Sequence, residues 1–94
     1  MELLSIGEIS RELEKVPDWS LEDGGKAIAR TFEFPGFKEA TGFIAKIADV
    51  AEEYGHHPDL RVYDVNKVQV KFSTHSVQGL TEKDFNMASR VDKL

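Results

Sequence analysis

The chain has 94 residues, which fits one small domain (residues 1–94) with a single hydrophobic core. It contains no cysteine, which excludes disulfides, thiolate metal sites and cysteine catalysis. The formal net charge of -5 argues against a general nucleic-acid-binding surface, and no apolar run approaches the roughly 20 residues of a membrane span. The start, Met1–Ser5, lacks the layout of a signal peptide, so a cytoplasmic protein with neither a nucleic-acid nor a membrane partner is expected.

The first half of the chain predicts a helix, a hairpin and a longer helix. The predicted elements are a helix over residues 5–16, strands over 19–21 and 27–34 joined at Asp23–Gly25, and a helix over 37–54 that ends at Gly55. Arg30 interrupts the apolar face of the second strand, and we expect it near a sheet edge, with a pocket-lining position as the alternative. The long helix has a wider apolar band than one sheet face covers, which indicates a contact between subunits.

The second half predicts two more strands and a last helix. The strands span residues 60–65 and 68–74, joined through Asn66 and Lys67, and the helix spans residues 81–94. Thr81 and Asp84 have the spacing of a capping box, although Asp84 could instead orient a histidine. The order α-β-β-α-β-β-α predicts an α+β fold in which three helices pack on one face of a four-stranded antiparallel sheet.

All three histidines lie in two short segments where predicted elements end. His56 and His57 follow the long helix, and His75 follows the fourth strand. Histidine exchanges protons near neutral pH, so the two segments would form a proton-transfer site if the fold joins them. The alternatives are helix capping for the adjacent pair, an inert surface position for His75, and a metal site; adjacent histidines rarely converge on one ion, which disfavours the metal.

Several motifs together resemble the pterin-4a-carbinolamine dehydratase family. They are Glu52–Pro58, Asn66–Val68, Ser73–His75 and Gly79–Asp84, with Trp19, Phe32–Phe34, Phe37, Ala40 and Phe43 adding to a similarity over nearly the whole chain from Trp19 on. The sequence departs from the family at Val65, where an aromatic residue is usual, and at Ser76, where an acidic residue is frequent. The segment from Pro58 to His75 is also one residue longer than in animal members, which predicts a bulge within residues 60–65.

The resemblance implies a hydro-lyase, a 4a-hydroxytetrahydrobiopterin dehydratase. Such an enzyme converts a 4a-hydroxytetrahydropterin to a quinonoid dihydropterin, in the recycling of tetrahydrobiopterin, with no metal and no cofactor. By position, His56 and His75 would be the main acid and base, while His57 would hold the pterin and share the proton transfer. The residues expected to line the substrate are Gly55, Ser73, Thr74 and Ser76, and Asp84 would support the site.

The resemblance also implies partners. The family forms homodimers and homotetramers, so a small-molecule pterin and further copies of the chain are the expected partners. Animal relatives also serve a homeodomain transcription factor as dimerisation cofactors, and plant relatives assist the assembly of another enzyme. The alternative function is therefore a non-catalytic cofactor that binds a protein partner, and loss of the histidines would favour it; all three histidines are present.

Overall fold

The structure, a computed structural model, describes residues 2–94. Its elements are α1 (Ile6–Lys15), β1 (Ser20–Glu22), β2 (Ala27–Glu33), α2 (Phe37–Tyr54), β3 (Asp59–Tyr63), β4 (Lys67–Phe72) and α3 (Glu82–Val91), with short 3-10 turns at Asp23–Gly25 and His75–Val77. This order confirms the predicted α+β fold. Within residues 2–94, no helix combines the length and the apolar character needed to cross a bilayer.

The four strands form one antiparallel sheet in the order β1-β2-β4-β3. Alternate residues of β4, namely Val68, Val70 and Phe72, are completely buried, while those between them are half-buried. Because side chains alternate across a strand, these three residues define the face that the helices cover. β2 lies against β4 with Ile28 opposite Phe72, so the same apolar face continues across the centre of the sheet.

The three helices cover that face, and they differ in how many of their residues are buried. α2 buries Ala40, Phe43, Ile47 and Ala51, and α3 buries Phe85, Met87, Ala88 and Val91. α1 has no fully buried residue, although Ile9 and Leu13 pack against the core. The predicted Ser5–Glu8 capping box at its start is confirmed, and the Ser5 backbone N–H that donates to the Glu8 carboxylate lowers the pKa of Glu8.

Arg30 lies just past the last residue of β2 that is paired with β1. β1 pairs with β2 only as far as Ala29, so the edge position expected for Arg30 is confirmed. The guanidinium lies 4.3 Å from the centroid of the Phe32 ring and donates to Asp92 Oδ1 at 2.8 Å. The same carboxylate oxygen accepts from Trp19 Nε1 at 2.8 Å, so Arg30 helps to fix the chain after α3 against the sheet.

The hairpin between β3 and β4 differs from the prediction. Tyr63 is paired with Lys67, so the turn consists of residues 64–66 rather than Asn66 and Lys67. The pairing from Asp59 to Tyr63 is continuous, so the predicted bulge is wrong. Within the turn, Asp64 and Val65 have φ angles of 49° and 72°. A left-handed conformation is unfavourable for a β-branched residue, so valine is not among the residue types that predict a turn. The sequence therefore gave no indication of a turn at Val65.

Candidate active site

The end of α2 directs the first histidine towards α3. Gly55 adopts the left-handed conformation with φ of 66°, and its N–H donates to the carbonyl of Ala51. This C-cap is the role expected for Gly55, because glycine takes that conformation without a Cβ penalty. The backbone N–H of His56 also donates to the carbonyl of Ala51, at 3.2 Å, so the chain turns immediately after the helix.

His56 is the most constrained of the three histidines. Its side chain is only 11% exposed, and its ring stacks on Phe72 with a centroid distance of 6.0 Å and an interplanar angle of 12°. Its Nε2 lies 2.7 Å from Asp84 Oδ1. A carboxylate oxygen accepts, so Nε2 carries the hydrogen and Nδ1 is the nitrogen left for a ligand. The contact with Asp84 fixes both the tautomer and the orientation of the ring.

Asp84 is completely buried and has all of its partners within the protein. Its Oδ2 accepts from the backbone N–H of Thr81 at 2.9 Å and from the Thr74 hydroxyl at 2.8 Å. Thr81 and Thr74 also have their hydroxyl oxygens 2.8 Å apart, so the Thr81 hydroxyl donates to Thr74. One oxygen of Asp84 thus caps α3 and the other contacts His56. The sequence left helix capping and contact with a histidine as alternatives for Asp84, and the side chain makes both contacts.

The other two histidines are more open to solvent. His57 is 60% exposed, and its Nε2 forms a close contact with Glu52 Oε2. β4 ends at Phe72 and the chain continues through a single bridge between Thr74 and Gly79. His75 therefore begins a 3-10 turn just after the sheet. Within residues 2–94 its exposed ring has no hydrogen-bond partner.

All of these segments meet at one cavity of about 390 Å³ that opens to solvent. Its lining residues are Gly55, His56, His57, Pro58, Asp59, Ser73, Thr74, His75, Ser76 and Lys83. The seven residues expected to be catalytic or to line the substrate are all among them, and Asp84 lies behind His56. The sequence analysis missed Pro58, Asp59 and Lys83. Pro58 and Lys83 adjoin predicted site residues in the chain, and Asp59 lies two positions after His57, so proximity in the sequence was the available signal.

This arrangement is suited to proton transfer on a small ligand. Three imidazoles line one cavity, together with the Lys83 ammonium and the Asp59 carboxylate. Imidazole can act as acid or base near neutral pH, and a nearby carboxylate can orient it. In the part of the chain described here, no three His, Cys, Asp or Glu side chains are grouped as metal ligands would be. The polar residues that line the cavity are thus the three histidines, the hydroxyl residues, Lys83 and Asp59.

Comparisons with known proteins give the relatives of the chain. Residues 2–94 match the model of the family described as pterin 4 alpha carbinolamine dehydratase. A protein of Chloroflexus aggregans is 43% identical over 94 residues, covering 100% of this chain and 98% of its own length. A protein of Sulfolobus acidocaldarius is 43% identical over 91 residues, covering 97% of each chain. Both are provisionally named pterin-4-alpha-carbinolamine dehydratases.

Two solved structures share the architecture. The crystal structure of a transcriptional coactivator/pterin dehydratase from Brucella melitensis superposes with a TM-score of 0.91 at 37% identity, covering 98% of this chain and 97% of that one. A pterin dehydratase-like protein identified as a RuBisCO assembly factor in the alpha-carboxysome has a TM-score of 0.67 at 21% identity, covering 81% of this chain and 87% of that one. The second similarity shows the fold alone. By its family match and its relatives, the chain belongs to the pterin-4a-carbinolamine dehydratase family.

Proposed function

We propose that the protein is a hydro-lyase that dehydrates a 4a-hydroxytetrahydropterin to a quinonoid dihydropterin, in tetrahydrobiopterin recycling. The observation that supports this most is the single cavity that His56, His57 and His75 line from two distant segments of the chain. Membership of the dehydratase family supports the same substrate class. Proton transfer by the histidines is the whole of the chemistry that the proposal requires, and it uses no metal and no cofactor.

The reaction needs one acid and one base. A protonated imidazole donates its proton to the 4a-hydroxyl, the carbon–oxygen bond breaks, and water leaves. A neutral imidazole takes the proton from the adjacent ring nitrogen, and the electrons of that N–H bond form the carbon–nitrogen double bond. The substrate thus loses one water and the two imidazoles exchange protonation states. General acid–base catalysis of this type contributes about 10² to 10⁴ in rate.

The contacts of the histidines support an assignment of roles. His75 has a solvent-open ring with no hydrogen-bond partner among residues 2–94, so neither of its nitrogens is engaged by another residue there. His56 offers one nitrogen, because Asp84 holds the other. These two form the acid/base pair. His57, which contacts Glu52, binds the pterin and shares in the proton transfer.

The remaining lining residues bind the pterin ring. Gly55, Ser73 and Ser76 present backbone and hydroxyl groups at the cavity wall. Thr74 also lines the cavity, but its hydroxyl is engaged with Asp84 and Thr81. Its contribution to binding is therefore made by its other atoms and by the position it gives to Asp84.

The test is a dehydration assay that follows the quinonoid dihydropterin by absorbance. The wild-type protein is expected to exceed the buffer rate, and His56→Ala and His75→Ala are each expected to lower the catalysed rate by about 10² to 10⁴. Circular dichroism of each variant controls for folding. A wild-type rate equal to that of buffer would refute the enzyme and leave the partner-binding alternative, and activity removed by a chelator would indicate a metal site instead.

A further inference from the structure

A second cavity adjoins the candidate active site, between the end of α2 and the outer side of α3. Its volume is about 360 Å³, and it is lined by Tyr54, His56, Lys83, Asn86, Met87, Ser89, Arg90 and Lys93. His56 and Lys83 line both cavities. The two spaces are therefore neighbours that share these two side chains.

The second cavity is basic although the protein is acidic. The chain has 17 acidic and 12 basic residues, yet among residues 2–94 no Asp or Glu lines this cavity, and its charged residues are Lys83, Arg90 and Lys93. None of the three forms an ion pair within residues 2–94. Three cations without carboxylate partners give the cavity a positive potential that attracts an anion.

Arg90 is held in place without losing its hydrogen-bonding capacity. Its guanidinium lies 3.9 Å from the centroid of the Tyr54 ring, so the ring stabilises the charge from one side. Stacking leaves the N–H groups at the edge of the guanidinium free to donate. Asn86 and Ser89 add neutral polar groups to the same lining.

We propose that this cavity binds a phosphate group on the side chain of a pterin whose ring occupies the neighbouring histidine cavity. This inference rests on the proposed function and extends the ligands of its site to pterins that carry a phosphate on the side chain. A phosphate offers several charged oxygens to one guanidinium and two ammonium groups, whereas a single carboxylate is satisfied by one arginine. Lys83 lies between the two cavities and contacts whichever group joins the ring to the phosphate.

The test compares two ligands that differ only in the phosphate. Calorimetric titration gives the Kd of dihydroneopterin and of dihydroneopterin monophosphate for the wild type, Arg90→Gln and Lys93→Gln. The control is Lys46→Gln, which removes an exposed lysine of α2 that lines neither cavity. The wild type and the control are expected to bind the monophosphate about tenfold more tightly, because charge-assisted hydrogen bonds are added. Each cavity variant is expected to lose most of that gain, and added salt to reduce it.

The outcomes separate this inference from the proposed function. Equal affinity for the two pterins, or a gain that survives both cavity variants, would overturn the phosphate site and leave the dehydratase proposal standing. Binding of inorganic phosphate without any gain for the phosphorylated pterin would mark a free-anion site and would also overturn it. If neither pterin binds, both proposals fail. Arg90→Gln also removes the contact with Tyr54, which can lower the melting temperature. If thermal unfolding shows such a loss, the affinities of Lys93→Gln decide the result, because Lys93 is exposed.

Discussion

Asp84 illustrates how one buried carboxylate can serve both folding and function. Its two oxygens point to different partners, with the start of α3 and Thr74 on one side and His56 on the other. Removing the carboxylate would leave the buried donors of Thr74, Thr81 and His56 without an acceptor. A buried donor without an acceptor lowers the free energy of unfolding. The residue therefore couples the stability of α3 to the orientation of the histidine ring.

We predict that Asp84→Asn lowers both stability and the dehydration rate. An amide keeps one acceptor oxygen and replaces the other with a donor, which faces a donor of the protein. The free energy of unfolding should fall by about 1–3 kcal/mol. The rate should fall by about 10², with an altered pH–rate profile, because the ring of His56 loses its fixed tautomer.

The control for this variant is Asp49→Asn, an exposed carboxylate of α2 that has no hydrogen-bond or ion-pair partner in the part of the chain described. Urea denaturation and the absorbance assay measure the two effects. A variant that is destabilised but keeps the wild-type pH profile would show that Asp84 acts on the fold alone.

At the scale of elements, the end of α2 determines where the adjacent histidines lie. Gly55 terminates the helix in the left-handed region, and Pro58 prevents its continuation. A Cβ built on Gly55 meets no atom within 4 Å, so any cost of a side chain there comes from the backbone conformation. Gly42, in the interior of the same helix, also has open space around a built Cβ but has no positive φ.

We predict opposite effects for the same substitution at these two glycines. Gly55→Ala should destabilise the protein by about 1 kcal/mol, because an L-residue is strained at positive φ. Gly42→Ala should stabilise it by roughly 0.5–1 kcal/mol, since alanine loses less backbone entropy in a helix. Urea denaturation measures both, and equal signs would contradict the assignment of Gly55 as the C-cap. The dehydration rate should fall only for Gly55→Ala, which shifts the histidines.

At the scale of the whole molecule, α2 leaves an apolar strip uncovered. Ala40 and Ala51 of its wide band are buried, but Phe37 is 57% exposed and Ala48 is exposed, with Ile44 partly buried between them. One sheet face covers about half of a helix surface, so the rest of the band has no partner within the described part of the chain. Exposed apolar strips of this type favour contacts with another molecule.

We predict that the protein is a homo-oligomer, a dimer or a tetramer, through this strip. Ala48→Glu should shift the protein towards the monomer, because it places a charge among apolar groups. Lys46→Gln changes the net charge by the same amount, lies about 200° away around the helix, and should leave the assembly unchanged. Light scattering at micromolar concentration measures the mass, and a monomeric wild type would contradict the prediction.

The sequence by itself determined the order of the elements and most of their bounds, and it pointed to seven residues that line one cavity. Helix caps, turn residues and the periods of apolar side chains act between near neighbours, so Ser5, Gly55 and the alternation around Val70 are visible in the chain. The resemblance of the histidine motifs to a known family added the substrate class that we propose. Local signals were misleading at Val65, because a strained residue there carries no turn signature.

Only the tertiary structure decided which of these residues meet. His56 and Asp84 are 28 positions apart, and their contact depends on how α2 and α3 pack over the sheet. The strand order brings the end of β4, and with it His75, to the same end of the molecule as the C-cap of α2. The second cavity likewise joins Tyr54 of α2 to Lys83 and Arg90 of α3. Contacts between such distant residues depend on how the helices pack on the sheet, and the spacing of apolar residues within one element does not reveal them.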